Sequence, residues 1–225
     1  MTSTNKILIA LTSHSDLGGK RSTGYYLPEA AHPWHVFQQA GYTVDFASVA
    51  GGEPPIDGAD LSDPVQRAYT DDAEVQAKLK NSPRFADVDQ AEYDAILFAG
   101  GHGAMWDFPN DADLATFARE LYERGGVVAA VCHGPAALAG ITLSDGTPIV
   151  AGKRIAAFTN SEEAAVGLTD VVPFLLQSRL EEQGGKHSGV EDWQPHVVTD
   201  GRLVTGQNPA SSAGVAEAVL AVLKA

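Results

Sequence analysis

The 225-residue chain holds one cysteine, Cys132, in the stretch VVAAVCHGPAAL from Val127 to Leu138. A cysteine in a core is usually an inert small hydrophobe, whereas a thiolate is a strong nucleophile where its surroundings lower its pKa. Apolar residues precede Cys132, and His133, Gly134 and Pro135 follow it directly. The run before it reads as a strand and HGPAALAG after it as the start of a short helix. Cys132 is therefore expected on a sharp strand-to-helix turn, a nucleophile elbow. At a helix N-terminus, unpaired amides and the helix dipole favour the thiolate, so the thiol should titrate below its free value of about 8.5. The amide of His133 is then placed to donate to an oxyanion, with a second donor expected at Gly101.

A second glycine-rich stretch, GGHGAMWD from Gly100 to Asp107, faces this turn across the expected sheet edge. It lacks both the GxGxxG spacing and the Lys-Ser/Thr of a phosphate loop, which argues against a nucleotide. Gly100, Gly101 and Gly103 let the backbone approach a small substrate, while His102 and Trp106 are expected to shape the wall. Glu29, in TGYYLPEAAHPWHVF, is expected in the loop after the first strand, ahead of a helix starting at Pro33. A carboxyl beside a thiolate has its pKa raised and becomes a proton donor. Glu162 and Glu163, in FTNSEEAAVG, follow another strand end, and either could orient an imidazole as the third member of a Cys/His/acid set. Glu29, His32 and His35 are spaced three apart like metal ligands on a helix face, but Pro33 interrupts that face, and no metal is expected.

These residues need elements to carry them. Lys6 to Ser13, Asp94 to Gly101 and Gly126 to His133 read as strands buried on both faces, and Tyr42 to Val49 as a fourth. Helical patterns run over His32 to Ala40, Asp111 to Arg124 and Pro209 to Lys224. This alternation implies a parallel sheet covered by helices on both sides, with reactive groups at the carboxyl ends of its strands. Gly51 to Gln90 is polar and reads as an excursion over the surface of one domain spanning 1–225, with one helical pattern at Asp71 to Leu79. Thr147 to Thr159 is expected to form short strands turned at Gly152, and His196 to Gly206 a hairpin at Asp200-Gly201. Ser161 to Gly185 is helical in pattern and acidic.

With 44% hydrophobic residues the chain can bury an ample core. Its net charge of -14 argues against nucleic acid and against an anionic membrane as partners, since both select clustered Lys and Arg. A single cysteine excludes an internal disulfide and a cysteine-rich zinc framework, and fits a reducing compartment. No apolar run approaches the roughly 18 residues of a membrane span, and the start of the chain, MTSTNKILIALTS, carries no signal-peptide pattern, so a cytoplasmic location is expected.

AVCHGPAAL, GGHGAMWDFPND, Glu29 ahead of the HP pair, and GRLVTGQNPASS from Gly201 to Ser212 together resemble the DJ-1/PfpI superfamily. Within it they are similar to the Hsp31-like branch, the glutathione-independent glyoxalases of the glyoxalase III type, and most of all to its compact fungal-like members. The resemblance runs from the first strand to the C-terminal helix. It implies a flavodoxin-like α/β sandwich, of the class I glutamine amidotransferase-like kind, and a homodimer. It also implies Cys132 as nucleophile, His133 as neighbouring base and Glu29 as the acid touching the sulfur. The family's third triad member falls on Glu163, although FTN stands here for the family's FTD and Glu162 lies beside it. The implied reaction turns methylglyoxal or glyoxal into lactate or glycolate with no cofactor, the chemistry of a D-lactate dehydratase-class lyase. Its alternatives within the superfamily are a stress-response holding chaperone, which needs an exposed apolar patch rather than Cys132, and a protein deglycase. A peptidase is disfavoured because such relatives depend on an oligomer to complete the site. An amidotransferase is disfavoured because neither His187 nor His196 stands in the HPE-like setting it requires.

Overall fold

The computed structural model describes residues 4–225, so the first three residues of the N-terminal stretch lie outside the described residues. In chain order the strands are β1 (Lys6–Leu11), β2 (Tyr25–Tyr26), β3 (Thr43–Ser48), β4 (Ile56–Asp57), β5 (Ala95–Phe98), β6 (Val127–Val131), β7 (Arg154–Ile155), β8 (Lys186–His187), β9 (Val197–Asp200) and β10 (Leu203–Gly206). The helices are α1 (Leu27–Gln39), α2 (Pro64–Asp71), α3 (Ala73–Lys80), α4 (Ala104–Asp107), α5 (Ala112–Glu123), α6 (Asn160–Ala165), α7 (Leu176–Glu182) and α8 (Ser212–Leu223).

Six strands form the central sheet in the order β3-β1-β5-β6-β10-β9. The first five are parallel, and β9 returns antiparallel to β10 through the expected turn at Asp200-Gly201. Ile7 pairs with Val44 and Ala95, and Ala95 with Val127, so the apolar runs lie level and their carboxyl ends leave the sheet at one edge. All residues of β5 and β6 are buried, which is why these runs lack polar alternation. Helix α1 packs against α8, while α5 packs on β5, β6 and the 3-10 turn Gly134–Gly140, giving a three-layer, flavodoxin-like α/β sandwich. Among the described residues no helix is long and apolar enough to cross a membrane.

The structure corrects several sequence expectations. Helix α1 starts at Leu27, not at Pro33, so Glu29 sits in its first turn rather than in a loop. Pro28 lies where helix amides have no partner anyway, whereas Pro33, one turn after Glu29, removes the hydrogen bond to the Glu29 carbonyl and crowds that carbonyl with its ring. Burial of Leu27, Ala30, Ala31, Trp34 and Phe37 along one face outweighs that loss. The excursion carries two helices instead of one, because Asp72 ends α2 and caps α3 by accepting from the amides of Glu74 and Val75. It is also more than surface covering. Tyr69 is fully buried, with its ring edge-on to Trp34 at 5.5 Å and Phe46 at 5.8 Å. Between Thr147 and Thr159 only Arg154–Ile155 is a strand, although Gly152 does turn the chain with φ +74°.

Candidate active site

Cys132 leaves β6 with φ +59°, a left-handed conformation that costs a non-glycine residue roughly 1–2 kcal/mol and holds only where its surroundings enforce it. The amide of Cys132 donates to the Gly206 carbonyl at 3.0 Å, and its carbonyl accepts from Phe158 at 2.9 Å. Gly134 presses against the end of β5, where an added Cβ would stand 2.1 Å from the Phe98 carbonyl oxygen. The sharp turn expected from the sequence is present, followed by a 3-10 turn rather than an α-helix.

Four titratable groups from separate elements gather beside the sulfur: His133, Glu163, His102 and Glu29. His133 Nδ1 lies 3.4 Å from Cys132 Sγ, and its Nε2 lies 2.8 Å from Glu163 Oε2. Glu163 Oε1 is in turn 2.9 Å from His102 Nε2, so one carboxylate serves two imidazoles. Burial alone would raise the Glu163 carboxyl, but the two imidazoles that hydrogen-bond to it hold it down at about 2. Since an ionised carboxylate can only accept, His133 donates its Nε2 proton to it, which leaves the Nδ1 lone pair facing the thiol. Burial and the neighbouring His102 push His133 down to about 4, so its imidazole is neutral near pH 7.

The neighbouring Glu162 and Glu163 point in different directions. Helix α6 begins with a capping box in which Thr159 and Glu162 satisfy each other. Glu162 then points away from the imidazoles. Its Oε1 accepts from the Trp193 amide at 3.0 Å, Gln207 Nε2 at 3.2 Å and Asn208 Nδ2 at 2.8 Å. These bonds hold Trp193, whose backbone is also left-handed at φ +65°, with its ring 5.8 Å from Phe158.

Glu29 approaches the sulfur from α1. Its carboxyl is fully buried and neither oxygen has a hydrogen bond of good geometry among the described residues. Burial raises it to about 8, opposed in part by the Cys132 thiol and the Gly100 amide that face it. Gly100 is glycine for this reason. A Cβ there would stand 2.3 Å from Glu29 Oε2 and 2.8 Å from the His133 nitrogen.

The thiol departs from the sequence expectation. Instead of falling, its pKa is raised well above the ordinary value, first by burial and then by Glu29, with the His133 amide as an opposing influence. Cys132 is only 4% exposed, and a short 3-10 turn cannot offset that desolvation. The carboxyl and thiol are coupled, each ionised form disfavouring the other. With Glu29 protonated near pH 7, its charge no longer opposes the thiolate.

A cavity of about 250 Å³ opens onto these groups, lined by Glu29, Gly101, His102, Cys132 and His133 on its polar side. Trp106 is outside it, stacked on His14 at 5.1 Å. Glu29, His32 and His35 do not converge, since Glu29 faces the thiol while His32 Nε2 pairs with Asp63 at 2.7 Å. Phe158, Val166, Leu168 and Trp193 form an apolar wall that sequence reasoning missed, and Tyr26, Arg21 and Asp57 edge the mouth. Trp193 carried a usable signal, a lone tryptophan in a polar stretch. Phe158 carried only its place before the Thr-Asn pair.

The DJ-1/PfpI family model matches residues 21–222. The chain is 35% identical to glyoxalase 3 of Candida albicans and 35% identical to the glutathione-independent glyoxalase HSP31 of Saccharomyces cerevisiae, in each case over 97% of this chain and 98% of the relative. Among solved structures, glyoxalase III of Candida albicans superposes with a TM-score of 0.90 at 34% identity, covering 96% of both chains. The 24 kDa rapid encystment protein of Francisella tularensis superposes with a TM-score of 0.93 at 40% identity, covering 97% of this chain and 98% of that one. With the family model spanning nearly the whole chain and these full-length relatives beside it, this protein belongs to the DJ-1/PfpI family.

Proposed function

We propose that the protein is a glutathione-independent glyoxalase that converts methylglyoxal or glyoxal into lactate or glycolate, with Cys132 as nucleophile. The observation that carries this reading is the ordered chain of contacts from Sγ to His133 to Glu163, set beside a second, protonated carboxyl at Glu29. The full-length similarity to named glyoxalases supports it.

Sγ attacks the aldehyde carbon while His133 Nδ1 takes the thiol proton, and the resulting imidazolium is stabilised by the Glu163 carboxylate. Glu29 gives its proton to the aldehyde oxygen, completing a hemithioacetal. Backbone amides near Gly101 and His133 hold the developing charge. Glu29, now ionised, and His133 then move the C1 hydrogen as a proton to C2 through an enediol. The product is a thioester of the 2-hydroxy acid, and water releases it with return of the thiol. No redox partner is needed, because the aldehyde carbon is oxidised as the neighbouring carbonyl is reduced. The homodimer implied by the family is part of this proposal, and light scattering on the purified protein checks it.

The test is methylglyoxal added to metal-free protein without glutathione, followed by aldehyde loss and chiral lactate analysis beside Cys132→Ala. Stereospecific D-lactate from the wild type alone is expected. Absence of lactate with both proteins, each folded, would overturn the assignment. Suppression of client aggregation that survives in Cys132→Ala would move the function to a holding chaperone.

A further inference from the structure

The way Glu163 bridges two imidazoles has a consequence apart from thiol activation. One ring nitrogen each from His102 and His133 and one Glu163 carboxylate oxygen all lie within 4.8 Å of one another, and both Nε2 atoms already face the carboxylate. Two imidazole nitrogens and one carboxylate oxygen are the donor set that holds zinc in sites with an open coordination position, at about 2.0–2.2 Å from the ion. Donors at these bond lengths around a tetrahedral ion stand roughly 3.3–3.5 Å apart, so the two contacts of 2.8–2.9 Å, one to each Glu163 oxygen, must open slightly while the imidazole nitrogens, already within 4.8 Å, settle around the ion. An entry path exists. Both imidazoles line the cavity, and the His102 side chain keeps 13% of its surface accessible while Glu163 is buried behind it. The cavity also leaves room for a water as fourth ligand. His102 supplies the donor that an ordinary Cys/His/acid set lacks, and thiol activation gives it no task of its own.

We propose that His102, His133 and Glu163 form a binding site for a divalent transition-metal ion of the zinc type, and that its occupation excludes thiol activation by His133. The exclusion follows from the tautomer. In the metal-free site His133 carries its proton on Nε2 and presents the Nδ1 lone pair to Sγ at 3.4 Å. A metal on Nε2 moves that proton to Nδ1, since a neutral imidazole holds one proton and it must sit on the nitrogen not bound to metal. Nδ1 then donates toward the sulfur and no longer accepts from it. The cation simultaneously claims the Glu163 charge that would stabilise an imidazolium. The binding half of this inference is independent of the glyoxalase reading, and the exclusion half rests on it.

The experiment is calorimetric titration of metal-free wild type, Cys132→Ala and His102→Gln with Zn2+ near pH 7, with Co2+ absorption as second readout. One ion per chain is expected in wild type and in Cys132→Ala. Affinity should fall at least about 100-fold in His102→Gln. The Co2+ form should show visible ligand-field bands without a thiolate charge-transfer band, because sulfur is not a ligand. Binding lost in Cys132→Ala but kept in His102→Gln would assign the ion to the thiol and overturn the site, as would no binding to wild type at millimolar Zn2+. For exclusion, stoichiometric Zn2+ should abolish methylglyoxal turnover by wild type, and a chelator should restore it. Full turnover by protein shown calorimetrically to be loaded would overturn exclusion, while inactivity of the metal-free protein would instead sink the glyoxalase reading.

Discussion

At the scale of single residues, two adjacent glutamates do different work because a helix start turns them apart. Glu163 faces His133 and His102, whereas Glu162 is consumed by the capping box and by the donors of Trp193, Gln207 and Asn208. The sequence placed both at the site but could not separate them, since neighbouring positions in a first helical turn differ only in direction. Their replacements should therefore fail differently. Glu163→Gln removes the negative charge that stabilises a protonated His133, whichever way its amide turns between His133 and His102. kcat/KM should drop about 10³–10⁴-fold with stability kept within about 1 kcal/mol. Glu162→Ala strips a buried anion from at least four donors and should cost about 3–5 kcal/mol in urea denaturation. A Glu163→Gln variant that kept full turnover would remove Glu163 from the chemistry. The raised thiol belongs to this scale too. A sequence shows that Cys132 precedes a turn, but not that α1 buries a carboxyl against it from 103 residues away along the chain.

At the scale of elements, the apolar runs were legible because strands buried on both faces have no polar alternation to confuse, and β1, β5 and β6 fall inside the predicted stretches. What was hidden depends on tertiary compensation. Pro33 signals a helix start by local chemistry, yet α1 runs through it because one face buries Trp34 and Phe37. The expected strand before Gly152 is absent because Pro148 to Ala151 closes as a tight turn. The elbow shows how closely the elements meet where function needs them. A Cβ at Gly134 would strike the Phe98 carbonyl at 2.1 Å, backbone against backbone, while Gly152 has nothing within 4 Å and only its φ of +74° to satisfy. Gly134→Ala should lose several kcal/mol or fail to fold, and Gly152→Ala should lose about 1–2 kcal/mol. Thermal or urea unfolding of the two variants compares them. Equal, small losses would mean that the elbow is free to relax and that Cys132 is not held rigidly by its neighbours.

At the scale of the whole molecule, a chain of net charge -14 becomes more self-repelling as pH rises, and this background masks any single group. Glu29 can still be isolated by difference. Its pKa is about 8 in the folded protein, against an ordinary carboxylate value of 4.5. Between these values the folded state holds a proton that the unfolded state has released. Unfolding then releases a proton, so a rise in pH favours unfolding throughout the window. The contribution of Glu29 to stability is thus fully present below about 4.5 and is lost as pH climbs through 8. Glu29→Gln is neutral in both states and carries no such slope. The stability of the variant minus that of the wild type should therefore grow from pH 5 to pH 8, by up to about 1.4 kcal/mol per pH unit, and level off above. Urea melts of both proteins at pH 5, 6, 7, 8 and 9 measure it, with the shared charge background cancelling in each pair. Parallel curves would show that Glu29 is already ionised in the folded protein. That outcome would remove the proton donor from the proposed hemithioacetal formation, even though the thiol, His133 and Glu163 kept their geometry.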